Sequence, residues 1–175
     1  CQGPQGTDNG FQRAEKAAPP RSHKDSLWDG TFGLFVEFFG AYQHRIDAKG
    51  RVALPAVFRD GFGDERVCYI AAETSQQCLT VYSAEEFKLM VGRLQEAKRQ
   101  GRFTQRQLTN FMAAVSQSSI DAQGRINLPE HLRSFANIDK DATLIGAANH
   151  IAVFPAEVHN PETALDDLID ISDLL

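Results

Sequence analysis

Cysteine is scarce in this 175-residue chain, with Cys1, Cys68 and Cys78 forming no Cys-x-x-Cys pair. An odd, unpaired set of that kind argues against both a disulfide framework and a zinc knuckle, and reads as free thiols. Long apolar runs are missing as well. Nothing approaches the roughly 18 residues a membrane helix needs, and no basic start followed by an apolar stretch marks a secretory signal. The expected location is therefore the cytoplasm. Cys1 as first residue suggests a chain that does not begin at its natural initiator.

Enzyme constellations are also missing. His23, His44, His131, His150 and His159 lack metal-ligand spacing, and no Gly-x-Ser-x-Gly or phosphate-binding Gly-x-x-x-x-Gly-Lys-Ser/Thr loop occurs. Cys68 and Cys78 sit inside apolar runs, where a buried inert thiol is the expected reading. No catalytic residue, metal site, cofactor or small-molecule substrate is expected.

A net charge of −5 looks wrong for a nucleic-acid binder until it is partitioned. Residues 1–30 carry four bases and four acids, and residues 157–175 carry six acids and no base. The intervening residues 31–156 hold 14 bases against 13 acids, and those bases cluster. The acidity belongs to the tail.

What the chain does have is a repeat. Ile46-Asp47-Ala48-Lys49-Gly50-Arg51-Val52-Ala53-Leu54-Pro55-Ala56-Val57-Phe58-Arg59 returns 74 residues later as Ile120-Asp121-Ala122-Gln123-Gly124-Arg125-Ile126-Asn127-Leu128-Pro129-Glu130-His131-Leu132-Arg133, identical at eight of fourteen positions. Similarity continues from Leu79–Glu85 to Ile151–Glu157. The chain is a tandem duplication.

In each copy an alternating run ends at Ile46 or Ile120, and Asp-x-x-Gly-Arg leads into a second apolar run. Asp at the first turn position accepts backbone N–H bonds, and Gly three residues on takes the left-handed conformation of a type I turn with a G1 bulge. Pro55 and Pro129 then open short helices over 56–60 and 130–136. Strands are predicted over 67–72, 78–82, 141–147 and 150–154. Ser83 caps a helix to about Arg99 with Phe87, Met90, Val91 and Leu94 on one face. Further helices are predicted over 104–113 and, interrupted by Pro161, over 156–169.

The expected organisation is a flexible extension over 1–33, a first repeat with its helix over 36–100, a connecting helix over 101–113, a second repeat over 114–160 and an acidic tail over 161–175. The fold class is α+β, with helices flanking the strands.

The hairpin stretch His44–Arg59 is net positive, with Arg45, Lys49, Arg51 and Arg59 against Asp47 and Asp60. A two-stranded ribbon fits a DNA major groove, where Arg bonds guanine O6 and N7 and Lys neutralises phosphate. Arg51, Lys49, Arg125 and Arg45 are the candidate DNA contacts. Asp47, Gly50, Asp121 and Gly124 read first as turn-builders, the aspartates pairing with Arg51 and Arg125. A second basic cluster, Lys88, Arg93, Lys98, Arg99, Arg102 and Arg106, reads as the solvated face of a helix.

The paired Ile-Asp-x-x-Gly-Arg-apolar-x-Leu-Pro motifs resemble the MraZ family of transcriptional regulators, related to the AbrB-type swapped-hairpin fold. The resemblance spans about residues 36–160, including Phe38-Phe39-Gly40 and the Cys78–Tyr82 strand ahead of Ser-Ala-Glu-Glu. It implies a β-barrel pseudo-dimer of swapped hairpins. It also implies a cytoplasmic, nucleoid-associated homo-oligomeric ring that binds short direct repeats in double-stranded promoter DNA. Its implied role is to repress the division and cell-wall gene cluster, its own promoter included. The family's Asp-x-x-x-Arg signature maps onto Asp47 with Arg51 and Asp121 with Arg125, and its loop base onto Lys49. Gln123 replaces that base in the second loop, so copy one is expected to dominate binding. Family members tend to start near Phe38, which makes residues 1–33 atypical. A ring displaying several hairpins gains affinity through effective concentration. The rival reading is an oligomeric scaffold or antitoxin-like module that binds a protein.

Overall fold

The computed structural model describes residues 38–158. The extension expected over 1–33 and the acidic tail lie outside the described residues, as does the helix expected over 156–169 beyond its first three residues, which form a turn.

The chain runs β1 (Ala41–Arg45), β2 (Arg51–Ala53), α1 (Ala56–Arg59) with one 3-10 turn at Asp60–Phe62, β3 (Val67–Glu73), β4 (Cys78–Ser83), α2 (Ala84–Arg99), α3 (Gln105–Ala114), β5 (Ser116–Ser119), β6 (Arg125–Asn127), α4 (Glu130–Phe135), β7 (Asp141–Gly146) and β8 (Ile151–Pro155). It is an α+β fold in which helices flank antiparallel strands, and the elements predicted between residues 56 and 154 recur within a residue or two of their expected bounds.

Local chemistry accounts for the helix ends. The Ser83 hydroxyl accepts the Glu86 N–H at the start of α2, with Glu85 and Glu86 in the first turn and Lys98 and Arg99 in the last. Thr104 and Gln107 form a reciprocal capping box at α3. Gly101, at φ +71°, closes α2 by donating its N–H to the Lys98 carbonyl.

Six strands form one antiparallel sheet in the order β1-β7-β8-β4-β3-β5, and β2 pairs with β6 in a second, two-stranded sheet. The pairing mixes the two copies. β1 of the first copy lies on β7 of the second, from Ala41↔Ile145 to Arg45↔Asp141. β5 of the second lies on β3 of the first, from Val67↔Ser119 to Ile70↔Ser116. The copies also meet at the sheet centre, where β4 pairs β8 with Leu79 opposite Val153 and Val81 opposite Ile151.

One hydrophobic core joins both copies. Val52, Leu54 and Phe58 of the first motif are fully buried beside Ile126 and Leu128 of the second. Burial of each such side chain is worth about 1.5–3 kcal/mol against the exposed state. Phe38 closes one end, stacked edge-on against Phe58 and bridged in backbone to Ala148. Gly146 lets that segment approach, because a Cβ there would overlap the backbone of Phe38 and Phe39. The core thereby anchors the bases of β2 and β6 and, through their pairing, carries the two hairpin turns side by side.

Candidate nucleic-acid interface

The two turns have one geometry. Asp47 Oδ1 accepts the backbone N–H of Lys49 and of Arg51, both at 2.9 Å, while the Gly50 N–H donates to the Asp47 carbonyl. Asp121 does the same for Gln123 and Arg125, and Gly124 donates to its carbonyl. Gly50 and Gly124 sit at φ +77° and +74°, the left-handed region the turn requires and side chains resist.

Each aspartate then holds its arginine. Arg51 Nε and Nη2 both reach Asp47 Oδ2 at 2.8 Å, and Arg125 Nε and Nη2 reach Asp121 Oδ2 at 2.8 Å. The β2–β6 pairing, in which Val52 faces Ile126, brings these two pairs together. Arg51 Nη1 lies 3.9 Å from Asp121 Oδ2, and Arg125 Nη1 lies 3.8 Å from Asp47 Oδ2. The result is a cross-copy ring of two acids and two bases with no net charge. The Arg51 backbone N–H is the main cause that holds the Asp47 carboxyl below its ordinary pKa. Its partial burial opposes that, and the Lys49 N–H and the Arg51 guanidinium add to the lowering. Asp121 is lowered in the same way, first by the Arg125 N–H.

The turns are further clasped across the copies. The Leu54 N–H donates to the Gly124 carbonyl and the Leu128 N–H to the Gly50 carbonyl, both at 2.9 Å. A guanidinium covers each glycine from the opposite copy. A Cβ added to Gly50 would lie 3.2 Å from Arg133 Nη2, and one added to Gly124 would overlap the Arg59 guanidinium.

Of the sequence-predicted residues, the structure brings Asp47, Arg51, Asp121 and Arg125 into one cluster, with Gly50 and Gly124 buried at its edges. Lys49 is exposed beside Gly50 with no side-chain partner among the described residues, and Gln123 occupies the matching place on the second turn. Arg45 is exposed at the end of β1, away from the turn tip but on the strand that enters it. The cross-copy contacts of the ion ring, and the clasping by Arg59 and Arg133, were not anticipated. The available signal was that Arg59 and Arg133 occupy the last, identical position of the fourteen-residue repeat.

Much of the second basic cluster is occupied locally: Lys98 donates to Gln105, Arg99 pairs with Glu96, and Arg102 donates to Gln100. Cys68 and Cys78 are buried free thiols, and burial pushes them up to about 12 and about 11. Among the described residues no group of His, Cys, Asp and Glu is placed to hold a metal. No helix there is long and apolar enough to cross a membrane.

The family model described as "MraZ protein, putative antitoxin-like" matches residues 38–110 and again 111–160, one hairpin in each match. The chain belongs to the MraZ family. Among relatives named "Transcriptional regulator MraZ", that of Thermoanaerobacter pseudethanolicus is 33% identical over 141 residues, covering 78% of this chain and 96% of the relative. Those of Acetivibrio thermocellus and Desulfitobacterium hafniense are 34% and 37% identical over 117 and 121 residues, each covering 67% of this chain and 80% of the relative. These MraZ relatives are named as regulators and not as enzymes. The double match of the MraZ model agrees with the duplication read from the fourteen-residue repeat.

Proposed function

We propose that this MraZ-family chain is a sequence-specific DNA-binding transcription regulator that reads duplex DNA with its two hairpin turns. The observation that carries this reading is the ion ring. Asp47 and Asp121 engage Arg51 and Arg125 through Nε and Nη2, and the other copy's aspartate lies 3.9 and 3.8 Å from each Nη1, which fixes each guanidinium while the two arginine side chains keep 30% and 28% of their surface exposed. An arginine held in one orientation by carboxylates and still partly exposed is pre-oriented for a guanine edge or a phosphate. Lys49 and Arg45, with no ion-pair partner among the described residues, add positive charge on the first hairpin, suited to phosphate.

The exchange of β1 and β5 between the copies supports a swapped-hairpin pseudo-dimer, in which the first repeat (36–100) and the second (114–160) form one body. We assign the binding of short direct repeats to several such bodies in a homo-oligomeric ring. Leu89 on α2 and Met112 on α3 are apolar and about half exposed, which suits contact between copies. The regulatory role fits repression of the division and cell-wall cluster, including the protein's own promoter, by a cytoplasmic, nucleoid-associated protein.

Gel-shift titration of Arg51→Ala and Arg125→Ala, with light scattering alongside, tests the assignment. Each substitution is expected to lower affinity for DNA from upstream of the protein's own gene while leaving the oligomer intact. Unchanged affinity with both arginines removed would overturn it. A second reading, an antitoxin-like module that binds a protein, is favoured by the family's own description and by the same Leu89 and Met112 surface. An apolar protein interface holds as salt rises, whereas binding through several phosphates weakens steeply.

A further inference from the structure

We infer that Arg59 and Arg133 are phosphate-contacting residues that work in trans, each supplying positive charge to the hairpin turn of the opposite copy. The inference rests on the DNA-binding reading and extends it to two residues outside the ion ring.

Both arginines are fixed by one bond. Arg59 Nε donates to the Leu54 carbonyl at 3.1 Å, and Arg133 Nε donates to the Leu128 carbonyl at 3.0 Å. Each bond starts in the arginine's own copy, yet the guanidinium comes to rest against the glycine of the other copy's turn. Among the described residues neither arginine has a carboxylate within ion-pair distance, and each hydrogen-bonds protein through Nε and not through its Nη atoms. Arg51 and Arg125 are neutralised by Asp47 and Asp121, so Arg59 and Arg133 carry uncompensated charge at the same place. Asp60 and Asp64 line the cleft beside Arg59 and temper its field, and Arg66, which also lines it, opposes them. Arg59 is exposed and Arg133 half-buried.

The two turns are therefore less unequal than their loop sequences suggest. The first has Lys49 and Arg133. The second has Gln123 in place of the lysine, but Arg59 covers Gly124 immediately beside it. A purely structural arginine would need only its Nε bond and its bulk, whereas the N–H donors on the Nη atoms of the exposed Arg59 face solvent, where a ligand's acceptor can replace water. Phosphate oxygens are the acceptors that arginine's outer nitrogens suit.

The test is fluorescence anisotropy on the full chain across a salt series, with a duplex from upstream of the protein's own gene and an unrelated duplex of equal length. Wild type, Arg59→Ala, Arg59→Lys and Arg133→Ala are compared, each with its thermal midpoint. Arg59→Ala is expected to weaken both duplexes by about fivefold and to lower the log–log salt slope by at least about one, as loss of a phosphate contact does. Arg59→Lys, which keeps the charge, is expected to retain the slope. Unchanged affinity and slope in Arg59→Ala, while the wild type binds with strong salt dependence, overturns this inference and leaves the DNA reading standing. Equal loss in the alanine and lysine variants, with a lowered midpoint and an unaltered slope, assigns Arg59 to positioning alone and overturns it as well. Failure of the wild type to bind either duplex removes both readings.

Discussion

Replacing Gly124 by alanine probes the clasp between the copies with a size that follows from the geometry. At φ +74° an alanine pays about 1–2 kcal/mol of left-handed strain, partly offset by about 0.4–1 kcal/mol of lost freedom in the unfolded chain. Gly101, at φ +71° with open space around it, bears the same strain and the same offset and nothing else. The added Cβ on Gly124 also overlaps the Arg59 guanidinium, which must swing away and release the Leu54 carbonyl. A hydrogen bond of that kind is worth about 0.5–1.5 kcal/mol. Gly124→Ala is thus expected to destabilise by about 1 kcal/mol more than Gly101→Ala. That excess is expected to vanish in an Arg59→Ala background, where the guanidinium is gone. Urea unfolding at one fixed protein concentration, with m-values compared, measures all four variants. Equal costs for Gly101→Ala and Gly124→Ala, or no coupling between Gly124 and Arg59, would refute the clasp.

Three further expectations follow from the same structure. Asp47 and Asp121 have folded pKa values below the ordinary 3.8, so their stabilisation is complete above that value and is lost as pH falls through the lowered folded values. Acid titration followed by circular dichroism should show a transition there that is flattened in Asp47→Asn/Asp121→Asn, and identical curves would contradict the ring. Leu144→Ala empties a fully buried place on β7, between β1 and β8, and should cost roughly 2–5 kcal/mol in chemical denaturation. Gln123→Lys restores the missing base on the second turn and should tighten DNA binding and steepen its salt slope by about one or more, which titration at two salt concentrations detects.

The parts of the fold that sequence-local chemistry determines were legible beforehand. Asp-x-x-Gly fixes a turn through bonds within four residues, and Ser83 with Glu86 caps α2 within one turn, so both features could be read from the letters. The exchange of β1 and β5 between copies depends on which apolar faces meet in the core, and periodicity alone does not specify a partner strand. The site divided in the same way. Pairing of Asp47 with Arg51 is an i to i+4 contact and was foreseeable, whereas the approach of Arg51 to Asp121 exists only because β2 and β6 pair with Val52 opposite Ile126. The contact of Arg59 with Gly124 is not legible in sequence, because the two lie 65 positions apart and glycine offers no side chain to suggest it.

The most direct test of DNA reading by the paired hairpins is a nuclease footprint of the full-length protein on the DNA upstream of its own gene, taken at low and at raised salt. Protection of short, regularly spaced direct repeats that fades steeply with salt, and that is lost in Arg51→Ala/Arg125→Ala, is the expected result. No protection at low salt, or protection that persists unchanged in the double variant, would contradict it.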